Sequence, residues 1–368
     1  MKIVADDRIP YLKGALEKYA EVHYIAGAKI NADDMRDTDV LITRTRTKVN
    51  ESLLKESNIK LVVTATIGHD HIDKRYLEKR GIKWLNCPGC NSGSVATYIS
   101  SFLAMLMDEN CFETEGKTFG LIGCGNVGKR VKRVAEALGM KVLINDPPRV
   151  QKEGPKGFSS LEEVLQQSDV ISIHVPYIVD GKFKTDKMID ESKLKMMKDE
   201  AWIINSSRGG IIVEDDLKKQ LCDKRINAVL DVWENEPKID IELMKQCYLI
   251  SSHIAGYSVD GKANGTSMSV RHIAEFFDLD LKNWRAENLP LSGKIIQVSE
   301  GKKGLINALK EAYDVKEDDD KLRYNPENFE INRGTYKAHR DLANYIFMGD
   351  KTNCEILKRM MPKPVIGE

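Results

Sequence analysis

Arg208, His253 and three carboxylates, Asp231, Glu234 and Glu236, stand in three short stretches, INSSRGG, LDVWENEP and SSHIAGYS. These residue types hold anions and move protons. A guanidinium between a strand and two glycines can fork onto a carboxylate or a carbonyl. An imidazole beside a carboxylate exchanges protons near neutrality, because the negative charge stabilises the protonated ring. Each residue alone also has a plain structural use, as a surface ion pair or a polar group closing a loop. Their shared placement after apolar, strand-like runs points to one site, since open α/β sheets bind ligands at the carboxyl ends of their strands.

A second constellation lies upstream. In TFGLIGCGNVGKR, residues 118–130, Gly123, Gly125 and Gly128 follow a strand-like run and open a helix-like one. The first glycine permits a tight turn, the second lets backbone approach a pyrophosphate, and the third lets helix and strand pack closely. Val127, Val131, Val134 and Leu138 fall on one helical face, with Gly139 placed to end it. The helix amino terminus then faces an anion. Asp146 in KVLINDPPR is spaced to meet the ribose hydroxyls of a dinucleotide, and its charge favours NAD over NADP, with Arg149 as the opposing feature.

Loops so spaced need parallel sheets beneath them. KIVAD, DVLITR, KLVVTAT and WLNC read as strands, with YLKGALEKYA as a helix between the first two. SGSVATYISSFLAMLM, from Ser92 to Met107, is too long an apolar run for a strand and suits a buried helix, with a domain boundary just before it. KTFGLIG, KVLIND, VISIHVP, AWIINSS, INAVLDV and YLISSHI then follow as strands of one doubly wound unit. Beyond Leu289 a strand KIIQVSE, a helix GLINALKEAYDV, an acidic turn KEDDDKL and a helix KAHRDLANYIF form a small third unit.

The chain has 368 residues, 42% of them hydrophobic, enough for two or three domains. Lys plus Arg and Asp plus Glu each number 56, so no net charge draws it to nucleic acid or to an anionic membrane. Acidic residues interrupt the amino-terminal apolar run and no stretch is long enough to span a bilayer, so a cytoplasmic protein is expected. Seven scattered cysteines fit a reducing compartment. Cys87 and Cys90 have CxxC spacing but no second pair, and His69 and His71 lack a third ligand, so no metal is expected.

The succession of glycine loop, Asp146, SSRGG, LDVWENEP and SHIAGY closely resembles the D-isomer-specific 2-hydroxyacid dehydrogenases. The resemblance implies an α/β protein in which a doubly wound Rossmann NAD domain, residues 93–256, is inserted in a flavodoxin-like split substrate domain, residues 1–92 and 257–288. A small α+β dimerisation domain, residues 289–368, would follow and make a homodimer. TKVNESLL, TATIGHDHID, CPGCNSGSVATY, INDPPR, HIAGYSVDGKANGT, YDVKEDDDKLR and FEINRGTYKAHRDL carry the likeness along essentially the whole chain, toward a branch that oxidises a small phosphorylated 2-hydroxy acid.

Position by position, the resemblance assigns catalysis to Arg208, Glu236 and His253, with Glu234 as the competing carboxylate. NAD would be held by Gly123, Gly125, Asn126, Val127, Gly128, Asp146, Val175, Ser206, Ser207, Asp231 and Gly256. Thr45, Thr66, Gly68 and Tyr257 would touch substrate, with Arg44, Arg46 and Lys48 near enough to meet a phosphate. Two competing readings keep the fold: a dehydrogenase for 3-phosphoglycerate or an unphosphorylated 2-hydroxy acid, and a non-catalytic NAD-sensing regulator.

Overall fold

The apolar runs KIVAD, VLIT and LVVT lack the polar alternation of a half-exposed strand, so they suit a parallel sheet covered on both faces. A computed structural model of the protein describes residues 1–109, 112–290, 293–336 and 339–361. The chain divides into two units, Met1–Asn91 with Ser258–Leu291, and Ser92–Tyr257 with Ser292–Glu368.

In the first unit five strands, β1 (Lys2–Asp6), β2 (Glu21–Ile25), β3 (Val40–Thr43), β4 (Leu61–Thr64) and β5 (Lys83–Leu85), pair in parallel in the order β2-β1-β3-β4-β5. That is the flavodoxin-like order. The helix Val259–Phe277 belongs to the same unit. It runs close to the end of β4, where a Cβ on Gly265 would come within 2.6 Å of the Ala65 carbonyl.

YLKGALEKYA departs from expectation. It forms successive turns, with Tyr11 at φ 63° and Gly14 at φ 88°, because Leu12, Ala15 and Leu16 reach the core without a continuous helix. The following EVHYI is an edge strand, β2, that the sequence reading passed over.

In the second unit β6 (Thr118–Ile122), β7 (Lys141–Asn145), β8 (Val170–Ile173), β9 (Trp202–Asn205), β10 (Asn227–Leu230) and β11 (Leu249–Ile250) form a parallel sheet in the order β11-β10-β9-β8-β6-β7. The order reverses at β6, which makes the β6/β8 crevice the switch point where ligands bind in such sheets. The helix Ser92–Glu109 is buried along nearly all its length.

The tail belongs to this unit. Its Leu305, Leu309, Tyr345 and Leu357 share one buried cluster with Phe102, Val131 and Val134. KEDDDKL proves to be part of a helix, Lys316–Tyr324, with Glu317, Asp318 and Asp319 in the first turn, where the helix dipole favours negative charge. Within KAHRDLANYIF, Lys337 and Ala338 lie outside the described residues. The described remainder contains a 3₁₀ turn, Leu342–Asn344, and runs into β13 (Ile346–Gly349), drawn into extended form by pairing in parallel with β12 (Ile295–Val298).

Candidate active site

The glycine loop is built as its spacing requires. Gly123 has φ 87°, and a Cβ there would lie 2.5 Å from the His174 carbonyl and 2.7 Å from Val175, so the loops after β6 and β8 meet with no room for a side chain. A Cβ on Gly128 would come within 2.2 Å of the Gly123 carbonyl, which binds the helix Asn126–Ala137 closely to its strand. Gly125, by contrast, faces open space and caps that helix with no side-chain bond, leaving its first amides for an anion. Asn126 and Val127 are its first two residues.

Asp146 follows β7 and is buried. Its Oδ2 accepts from the Cys124 amide at 2.8 Å and its Oδ1 from the Arg149 amide at 3.1 Å, so it ties the glycine loop to the second strand. Arg149 donates to the Cys124 carbonyl at 3.0 Å and to both oxygens of Glu153 at 2.8 and 2.6 Å. Ser207 N–H and Oγ–H both donate to Asn205 Oδ1, whereas the Ser206 hydroxyl is buried with no hydrogen-bond partner among the described residues. An orphaned hydroxyl, an uncapped helix and an open glycine are together a fit for a dinucleotide.

His253 sits in the turn after β11 at φ 54°, a left-handed conformation that costs a non-glycine residue about 1–3 kcal/mol. Asp231, fully buried after β10, holds that turn. Its Oδ1 accepts from Ser251 Oγ at 2.6 Å and the Ile254 amide at 2.7 Å, its Oδ2 accepts from Ala255 at 3.0 Å, and its carbonyl accepts from the His253 amide at 2.7 Å. Burial pushes the Asp231 carboxyl up, while the charge of His253 and these donors pull it back. Gly256 and Tyr257 continue the same turn.

Glu236, not Glu234, meets the imidazole. Its Oε2 lies 2.8 Å and its Oε1 3.1 Å from His253 Nδ1, and Oε1 also accepts from the Trp233 amide at 3.0 Å. Burial works to raise its carboxyl, but the bond and charge of His253, the Trp233 amide and the Arg333 charge hold it below the ordinary carboxylate range. With a carboxylate on Nδ1, that nitrogen carries the proton and Nε2 is left to exchange one with a substrate.

Glu234 has another task. Its amide donates to Glu214 Oε1 at 2.7 Å, and the Glu214 amide donates to Glu234 Oε1 at 3.3 Å. This reciprocal pair joins the LDVWENEP loop to the helix Glu214–Cys222.

Arg208 leaves β9 with its carbonyl held by Asn205 Nδ2 at 2.8 Å and its Nη1 donating to the Ser207 carbonyl at 2.7 Å. A Cβ on Gly209 would sit 1.9 Å from the Trp233 carbonyl, so only glycine lets the Arg208 loop lie against the loop that carries Glu236. The second unit therefore gathers all three proposed catalytic residues at the carboxyl ends of β9, β10 and β11.

The remaining proposed substrate residues, Thr45, Thr66 and Gly68, belong to the first unit. Thr45 is exposed in a turn after β3. Thr66 Oγ1 bonds Thr64 Oγ1 at 2.7 Å and donates to the Gly68 carbonyl at 2.8 Å, which shapes the loop after β4. Arg44 Nη1 donates to the Arg8 carbonyl at 3.1 Å, and burial with the nearby Arg44 charge pushes the Lys262 ammonium down to about 8. Arg46 and Lys48 are exposed, and His69 packs edge-on against Trp84 at 5.2 Å. Cys87 is buried and donates to the Gly265 carbonyl, its thiol pushed up to about 11 by burial. Among the described residues no group of His, Cys, Asp and Glu could hold a metal.

The family described as D-isomer specific 2-hydroxyacid dehydrogenase, NAD binding domain, matches residues 104–255. An erythronate-4-phosphate dehydrogenase of Bacteroides thetaiotaomicron is 42% identical over 95% of this chain and 100% of its own. This chain belongs to the erythronate-4-phosphate dehydrogenase family. The Escherichia coli K12 relative of that name is 35% identical over 98% of this chain and 97% of its own.

Among solved structures, D-lactate dehydrogenase of Aquifex aeolicus with NAD and lactic acid superposes at TM-score 0.63 and 27% identity, over 77% of this chain and 97% of that one. NAD-bound 3-phosphoglycerate dehydrogenase of Entamoeba histolytica gives 0.64 and 26%, over 78% and 99%. The chain is thus an NAD-dependent 2-hydroxyacid dehydrogenase by family.

Sequence reasoning missed three members of the constellation. Glu214, buried beside Glu234, has its carboxyl raised to about 7, chiefly by desolvation. Arg333, in the short helix Phe329–Gly334, has its Cζ 5.9 Å from the Tyr257 ring centroid and its charge felt by Glu236. Tyr336 stacks edge-on against the same Tyr257 ring at 5.9 Å. In the sequence only the run FEINRGTYKAHRDL, through its likeness to the family, marked the last two, and it carried no hint of where they would fold.

Proposed function

We propose that this chain oxidises the C2 hydroxyl of 4-phospho-D-erythronate to 3-hydroxy-2-oxo-4-phosphooxybutanoate with NAD, in pyridoxal phosphate (vitamin B6) synthesis. The 2.8 Å contact between Glu236 and His253, at the strand ends of an NAD-binding domain, is the observation that carries it. The near end-to-end match with relatives bearing that name supports the choice of substrate.

NAD, when bound, supplies the acceptor for the hydride that leaves C2. His253 Nε2 takes the hydroxyl proton as the C2–H bond breaks, and the C2–O bond becomes a carbonyl. Glu236 fixes the ring and stabilises the imidazolium that results. Arg208 forks onto the substrate carboxylate and stabilises charge on the C2 oxygen. Gly123, Gly125 and Gly128, with the helix amino terminus and Ser206, hold the pyrophosphate end. Asp146 serves the adenosine ribose, and the commitment of Arg149 to Glu153 supports NAD rather than its 2′-phosphate form. Val175, Ser207, Asp231 and Gly256 line the remainder of the cofactor's path. Thr45, Thr66, Gly68 and Tyr257 contact the substrate.

No helix among the described residues is long and apolar enough to cross a membrane. The seven scattered cysteines, which fit a reducing compartment, support a cytoplasmic location. We also propose a homodimer formed through the tail. Ile295, Ile346 and Met348 are each about half exposed on one face of the β12/β13 pair, an apolar face that a second copy would cover.

The test is NADH absorbance on a panel of 4-phospho-D-erythronate, D-erythronate, 3-phosphoglycerate and D-lactate. Highest kcat/KM on the first is expected. Preference for another acid would replace the substrate, and NAD binding with no turnover of any would favour a regulator.

A further inference from the structure

The helix Phe329–Gly334 lies outside the dinucleotide-binding domain, residues 104–255, yet it brings a second guanidinium to the catalytic pair. Arg333 Nη2 stands 3.4 Å from the Tyr257 hydroxyl, and its Cζ is 5.9 Å from that ring's centroid. Tyr257 lies four residues past His253 in the same turn. The side chain is only 15% exposed, so its charge is largely out of water.

Glu330 engages one nitrogen, Nη1, at 3.1 Å. Nε is buried and has no hydrogen-bond partner among the described residues. A buried guanidinium with an unfilled N–H is costly unless an acceptor arrives, and the ligand that satisfies it best is an anion with several acceptor oxygens. Arg208 is already assigned to the carboxylate at the reacting end of the substrate.

We infer that Arg333, with the Tyr257 hydroxyl beside it, is a specificity residue that recognises the far end of the substrate, a phosphate monoester. The inference rests on the substrate reading above and adds the group that reads its phosphate. It also gives the tail a part in choosing the substrate.

The test compares wild type with Arg333→Gln and Arg333→Lys on 4-phospho-D-erythronate and on D-erythronate. Far-ultraviolet circular dichroism and NAD affinity serve as checks of folding. Arg333→Gln should lower the preference for phosphorylated over plain substrate, taken as the ratio of kcat/KM values, by about tenfold to a hundredfold, the usual effect of losing a charged hydrogen bond. Arg333→Lys should restore part of it. Equal losses on both substrates would show that Arg333 only positions the turn and would overturn the inference, as would an unchanged ratio.

Calorimetry of inorganic phosphate binding to the NAD-loaded protein gives a second reading. Binding should be present in wild type and weakened at least tenfold in Arg333→Gln by the same loss of a charged bond. Absent or unaltered phosphate binding would refute the role. If wild type turned over neither erythronate compound, the substrate reading would fail, while phosphate binding would still decide the case for Arg333.

Discussion

His253 shows how chemistry is stored in one residue's conformation. Its left-handed backbone is held by donors converging on Asp231, and its ring by the Glu236 carboxylate. His253→Ala should abolish turnover while NAD binding, followed by titration, stays near the wild-type value. Glu236→Gln should lower kcat by about 10²–10⁴-fold, because an amide neither fixes the ring's tautomer nor stabilises its charge. Since its carboxyl is held below the ordinary range, Glu236 stays ionised above that range and loses charge only as pH falls through its depressed value. The wild-type acid limb should therefore not be traceable to Glu236, a point that pH profiles of kcat in both forms would check. His253, Glu236 and the glycines were legible in the sequence because their spacing from strand ends is fixed by the fold. Arg333 was not, as its partner Tyr257 is 76 residues away and the meeting depends on how the tail folds.

At the level of elements, the helix Glu214–Cys222 and the LDVWENEP loop hold each other through Glu214 and Glu234. The Glu214 carboxyl is raised from 4.5 to about 7, chiefly by burial, with Glu234 and other acids adding to it. The sign follows from linkage. Its contribution to stability is full below the unfolded value and is lost as pH rises through about 7. Glu214→Gln keeps the acceptor and removes the charge. It should be more stable than wild type at pH 8 by on the order of 1 kcal/mol and nearly equal at pH 5. Thermal melts at the two pH values measure this.

Strands rich in Val, Ile and Leu were readable throughout, since a buried parallel strand has a composition of its own. YLKGALEKYA and KEDDDKL were misread for opposite reasons. In the first, helix-favouring residues yield to positive φ at Tyr11 and Gly14. In the second, acidic residues that read as a turn settle in the first turn of a helix, where its dipole accepts them.

For the whole molecule, the proposed dimer turns on the exposed face of β12 and β13. Ile346→Glu combined with Met348→Glu should give monomers by light scattering with unchanged circular dichroism, because both side chains are half exposed and outside the core. Truncation at residue 290 is a poorer probe, since Leu305, Leu309 and Leu357 belong to the cluster that also holds Phe102 and Val131.

That same weave bears on how the protein comes into being. The Met1–Asn91 unit needs a helix that ends at Phe277, and the helix of the glycine loop packs against one that ends at Met360. A nascent chain emerging from the ribosome can therefore finish the first core only once Phe277 is free and the second only once Met360 is, and would hold apolar surface open until each helix arrives. In a cell this should favour chaperone contact with each unit until its late helix has emerged.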